Sequence, residues 1–222
     1  MSLSRVCAAT LATVLCLSLG SLAGGAHAAT VVHTGTTVLS PYLGASPYTF
    51  PAVNLPKFDL PGHCLSSVCI RFEGQTIGFA SVENFENFPK VVNITWSAQF
   101  SLLRPSLVPL LGVTPTQLFS DPLTAFDGGV DYAGTSGITH SGAAATATDN
   151  LCLTTPADLA LFTGAGTISL PVTAVNTSSH TGANSWSFGV QGAAITEITY
   201  TYSECATPAR PVTWGQLKTT YR

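Results

Sequence analysis

The sequence predicts an all-β domain: an antiparallel β-sandwich, jelly-roll-like or immunoglobulin-like, with one or two short helical turns. Three features carry this expectation: one long run of strict alternation, several shorter runs, and turn-forming residues between them. In the long run, Val92, Ile94, Trp96, Ala98, Phe100 and Leu102 alternate with Asn93, Thr95, Ser97, Gln99 and Ser101. Period two sends every apolar side chain to one face of a strand. Such a strand belongs to an antiparallel sheet with one dry wall and one wet wall.

The elements follow in chain order. Arg5, the apolar stretch Val6 to Ala23 and the small residues of Ala26-His27-Ala28 compose a cleavable export signal over residues 1–28. Lipid attachment at Cys16 is disfavoured by the bulky Leu15 before it. Val68, Ile70 and Phe72 alternate, as do Ile77 and Phe79, and Glu73-Gly74-Gln75 between them reads as a tight hairpin. Asn84 to Pro89 is a second turn, preceding the long alternating strand. Thr114 to Phe119 and Thr155 to Phe162 each begin Thr-Pro, a cap followed by proline at the first helical position, so each predicts a helical turn. Further strands follow at Ile168 to Ala174, Trp186 to Val190 and Ile198 to Tyr202, with Asn176 to Asn184 as a polar loop tip. Several short strands with intervening turns argue two packed sheets. The domain spans 29–205; Pro208 and Pro211 then mark a linker, and 206–222 form a short tail with Trp214, Lys218, Tyr221 and Arg222.

Charge narrows the function classes. Charged residues are 9% of the chain, against a usual share of about 25%. Of eight Lys/Arg, seven remain after the signal (eight minus Arg5), against eleven Asp/Glu, a formal −4. No basic patch exists to bind nucleic acid. No stretch beyond the signal is apolar enough for a transmembrane span.

Four cysteines remain after the signal: Cys64, Cys69, Cys152 and Cys205. An even number in an exported domain predicts two disulfides, and four cysteines allow three pairings. Spacing favours Cys64–Cys69 as a local clip and Cys152–Cys205 as a long-range bridge. A Cys₄ zinc site is the competing arrangement, but the cysteines do not form two close pairs.

Catalytic signals are sparse. The sequence contains no Gly-x-Ser-x-Gly elbow, His-Glu-x-x-His or phosphate-cradling loop. His33, His63, His140 and His180 stand singly, and a Ser136/Ser141, His140, Asp131 set lacks an elbow or oxyanion donor. Glu83 and Glu86 read as exposed charges at a strand end and a turn. Asp127 and Asp131 flank Gly128-Gly129, and oxygen ligands on a glycine-containing loop suit calcium. They are the candidate metal ligands, and no other cofactor is expected. Trp96, Phe100, Trp186 and Phe188 lie in phase with aliphatic neighbours and are expected in the core. Tyr48, Tyr132 and Trp214 fall outside the alternating runs and are expected at the surface.

Leu55-Pro56-Lys57-Phe58-Asp59 resembles the LPxFD opening of the bacterial choice-of-anchor E domain. Gly78 to Asn84, the strand running to Leu102-Leu103-Arg104-Pro105, Asp131 to Gly137, Phe162 to Gly166 and Ile198 to Tyr202 are similar to its later landmarks in order and spacing. The resemblance covers about residues 30–203. It implies an exported β-sandwich without assigned enzymatic activity, normally tethered by a C-terminal sorting signal. Residues 206–222 depart from that pattern, since they contain no apolar span. The expected role is therefore structural or adhesive, at the cell surface or in extracellular matrix, with envelope components, matrix components or glycans as partners. A carbohydrate- or calcium-binding module is the alternative, and a hydrolase of unrecognised type a further one.

Overall fold

A computed structural model describes residues 28–205. The expected export signal, Cys16, Trp214 and the tail at 206–222 lie outside the described residues. Twelve strands and one helix follow in order: β1 (Ala29–Thr36), β2 (Tyr48–Thr49), β3 (Val53–Pro56), β4 (His63–Glu83), β5 (Lys90–Leu103), β6 (Pro109–Val113), β7 (Thr116–Leu123), β8 (Gly137–Leu153), α1 (Pro156–Phe162), β9 (Thr167–Leu170), β10 (Val172–Asn176), β11 (Ser179–Thr181) and β12 (Ser185–Glu204). They form a sandwich in which every strand ladder is antiparallel. One sheet has the order β1-β12-β4-β8. The other is built around β5, with β6 and β7 in sequence along one edge and β10 and β11 along the opposite edge. β2 extends β10, while β3 and β9 form a small separate ribbon.

The alternating run becomes β5, and Val92, Ile94, Trp96, Ala98, Phe100 and Leu102 are all buried. They pack into one core with Val68, Ile70 and Phe72 of β4 and Val190, Ala194, Ile198 and Tyr200 of β12. Trp96 and Phe100 thus occupy the core positions their phase predicts.

The expected hairpin at Glu73-Gly74-Gln75 does not form. β4 runs unbroken from His63 to Glu83, paired on both sides. Gly74 is a seat rather than a turn: a Cβ there would lie 2.9 Å from Phe100 Cδ2, and one on Gly192 of β12 would lie 2.5 Å from Phe100 Cζ. Two adjacent strands therefore omit side chains where the Phe100 ring enters, which explains glycine inside a strand.

The helical turn expected at Thr114–Phe119 is also absent, because Thr116–Leu123 is β7, paired with the Lys90–Ser97 half of β5. Pairing along that exposed edge of β5 outweighs the local preference of a Thr-Pro start. The second helical turn does form. Thr155 caps α1 by accepting the Asp158 N–H at 3.2 Å, and Pro156 opens the helix. Within the expected loop tip at 176–184, three residues form β11 against β5.

Two disulfides are present, but the pairing differs from the expectation: Cys64 bonds Cys205, and Cys69 bonds Cys152. Continuity of β4 is the reason. Five residues apart on one extended strand, Cys64 and Cys69 stand about 16 Å from each other, too far to bond. Antiparallel pairing instead sets Cys69 opposite Cys152, and Cys64 opposite Ser203, two residues before Cys205.

Candidate functional site

β4 and β12 both span the long axis of the sandwich. At one end, Glu83 pairs with Ser185; at the other, His63 pairs with Glu204, and Cys205 N–H donates to the Gly62 carbonyl. The first end gathers three loops: residues 84–89 between β4 and β5, 124–136 between β7 and β8, and 182–184 between β11 and β12. Loops on a rigid sandwich are where binding surfaces are usually built.

A polar network centred on buried side chains holds these loops. Glu83 is completely buried, a correction to its expected exposure. Its Oε1 accepts the Ser136 hydroxyl at 2.7 Å and its Oε2 accepts the Tyr132 N–H at 2.7 Å. Gly137 leaves room for this carboxylate, because a Cβ there would collide with Glu83 Oε2. Tyr132 adopts φ 55°, an uncommon left-handed backbone for a bulky residue, so the bond to Glu83 fixes a locally costly turn. Asn84, also fully buried, donates from Nδ2 to the carbonyls of Phe88 (3.0 Å) and Thr124 (2.6 Å), joining two loops. Asn184 adds the third: its Oδ1 accepts the Phe85 N–H at 2.9 Å and Lys90 Nζ at 2.6 Å, and its Nδ2 donates to Glu86 Oε1 at 3.1 Å.

On this base sits an aromatic surface. Phe85, Phe88, Phe126 and Trp186 are exposed here, four of the five exposed aromatic side chains among the described residues. Phe85 and Phe126 meet edge to face at 5.4 Å, and Phe126 N–H donates to the Glu86 carbonyl at 2.8 Å. Val91 and Val130 extend the apolar surface, both more than half exposed. Trp186 corrects a core expectation: 53% exposed, it rests on the His180 ring at 4.2 Å, while Phe188 is only partly buried. Burial holds His180 below the usual imidazole range. Tyr48 and Tyr132, expected at the surface, are half-buried. Tyr132 hydroxyl lies 2.9 Å from Ser185 Oγ.

The calcium candidates Asp127 and Asp131 lie on the same end, both exposed. Asp127 Oδ1 accepts the Gly129 N–H at 3.1 Å, and Asp131 Oδ1 accepts the Ala133 N–H at 2.9 Å. The first of these bonds is the main reason that the Asp127 carboxyl is held below its usual range. Among the described residues, no group of three or more His, Cys, Asp or Glu side chains gathers to hold a metal.

Ser136, His140 and Asp131 do not assemble into a relay. Ser136 serves Glu83, whereas His140 Nε2 lies 2.8 Å from Asp121 Oδ2 and stacks on Phe119 at 3.9 Å, linking β8 to β7. The network at Glu83, Asn84 and Asn184 escaped the sequence reading. Its trace was available, since Asn84-Phe85-Glu86-Asn87-Phe88-Pro89 places two phenylalanines in a turn, where no core position requires them.

No protein-family model matches the chain, and no curated protein matches it by sequence. Among solved structures, it is similar to the T13 particle of infectious bursal disease virus (12% identity, TM-score 0.28, covering 80% of this chain and 36% of that one). It is likewise similar to the structure of the Gx strain of that virus (11%, 0.28, 86% and 42%) and to a subviral particle of its VP2 protein (12%, 0.27, 86% and 48%). The chain thus spans less than half the length of these structures, and likeness at this level carries no argument about function.

Proposed function

We propose that this chain is an exported, non-catalytic β-sandwich with a structural or adhesive role at a cell surface or in extracellular matrix. The loop end carrying Phe85, Phe88, Phe126 and Trp186 is its contact surface. The observation that carries the reading is the concentration of exposed aromatics at the end of the sandwich whose loops are held by hydrogen bonds to the buried Glu83 and Asn84. Exposed aromatic patches of this kind mark interaction sites, and buried support fixes their geometry before binding, which lowers the ordering cost. Two disulfides suit an oxidising compartment, and the resemblance to choice-of-anchor E domains points to the same setting.

Fractionation of the native culture tests this. The protein is expected in the envelope or matrix fraction, released by washing with detergent or high salt. Recovery solely from the cytosol would overturn the proposal. A glycan array and a calcium titration of the chelated protein then separate protein contact from sugar or metal binding. Glycan binding abolished by loss of Phe85 and Phe88 would assign the surface to carbohydrate.

A further inference from the structure

The loop end is acidic as well as aromatic, and residues 206–222 are its chemical complement. Residues 28–205 contain four Lys/Arg (Lys57, Arg71, Lys90, Arg104) and eleven Asp/Glu, a formal −7 (four minus eleven). At the loop end, Asp127 and Asp131 face solvent, while Glu86 Oε1 lies 3.9 Å from Lys90 Nζ, the one Lys/Arg on the three loops and their flanking strand ends. The unpaired charge of this end is therefore that of the two aspartates. Residues 206–222 contain no acid and three cations, Arg210, Lys218 and Arg222, interleaved with Trp214, Leu217 and Tyr221. Opposite charge steers such surfaces together and fixes their register, while aromatic side chains supply the buried contact.

Geometry decides between the same molecule and another. Residue 206 follows Cys205, which is bonded to Cys64 at the end of the sandwich opposite the aromatic loops. The twenty residues of β12 separate the two ends, a distance of roughly 60 Å at strand rise. Trp214 is nine residues beyond Cys205 and can lie at most about 30 Å from it. The aromatic loops of its own molecule are out of its reach.

We infer that residues 206–222 of one molecule dock on the aromatic, acidic loop end of a second copy. This rests on the reading of the loop end as a contact surface. Because the two contact surfaces are different and lie at opposite poles, each contact is heterologous, and its repetition gives an open head-to-tail row or, where the rotation closes, a ring.

Sedimentation velocity on the full mature chain (29–222) tests this, with circular dichroism confirming that each variant is folded. The parent is expected to form a ladder of oligomers as concentration rises, weakening with added salt. One variant reverses the head (Asp127→Lys with Asp131→Lys), and another reverses the tail (Arg210→Glu, Lys218→Glu and Arg222→Glu). Each alone is expected to weaken association at least tenfold. An equimolar mixture is expected to recover it, because each variant then offers the complement the other needs. A parent that stays monomeric, variants that associate like the parent, or a mixture that recovers nothing would each overturn the inference. A monomeric parent that still binds matrix through Phe85 and Phe88 would remove this inference alone and leave the proposed function standing.

Discussion

Glu83 and Asn84 are the residues on which the loop end depends. A carboxylate without water around it is tolerated only when its oxygens are hydrogen-bonded, and Glu83 meets that condition with Ser136 and Tyr132. Glu83→Ala would strand both donors in the interior. The expected loss is about 3 kcal/mol, read as a lower midpoint in urea, with hydrogen exchange rising first in 124–136. Unchanged exchange there would refute the role assigned to Glu83. Its position at a strand terminus made it look like a surface charge, because sequence alone does not show that a loop 49 residues away folds over it. Tyr200 gives a second residue-scale prediction. Burial pushes its hydroxyl up to about 12, and that hydroxyl donates to the Pro56 carbonyl at 2.8 Å. The folded state therefore resists ionisation that the unfolded chain undergoes near pH 10. Stability should be unaffected below about pH 10, fall by roughly 2–3 kcal/mol between pH 10 and 12, and level off above. Tyr200→Phe, measured over the same range, should lack that component of the alkaline decline.

At the scale of elements, the alternating run predicted β5 and its buried face, since period two is a property of the strand itself. β4 was harder to read because its local signal is ambiguous: Glu73-Gly74-Gln75 satisfies hairpin chemistry, and only Phe100 and Val113 on the facing sheet explain the glycine. The same applies to β7, whose Thr-Pro start favours helix until the free edge of β5 is considered. The disulfide pairing was illegible for another reason: short spacing suggests a local clip, but Cys64 and Cys69 share one extended strand, and their partners come from strands distant in sequence. If Gly192 is a seat for Phe100, Gly192→Ala should destabilise by about 1–3 kcal/mol through overpacking. Combining it with Phe100→Leu should cost less than the sum of the two changes, since the shorter side chain vacates the space the methyl needs. Strict additivity in thermal or chemical unfolding would contradict this packing.

For the whole molecule, the two disulfides and the two long strands set up a division between ends. Cys64–Cys205 and Cys69–Cys152 close sequence separations of 141 and 83 residues, each worth about 5 kcal/mol on chain-entropy grounds when considered alone. Both lie toward the end where the chain leaves the sandwich, so covalent restraint holds that pole while hydrogen bonds organise the other. The sandwich was legible in the sequence because alternation and turn chemistry are local. The aromatic surface was not, because it exists only where three loops, separated by as many as 99 residues, converge. Binding of residues 29–222 to an isolated envelope or matrix fraction tests that surface most directly. Phe85→Ala, Phe88→Ala and Phe126→Ala are introduced together, with Leu118→Ala, at a residue 72% exposed on β7, as the control. The triple variant should stay folded and lose at least tenfold in affinity while the control binds like the parent; equal binding by all three proteins would contradict the account.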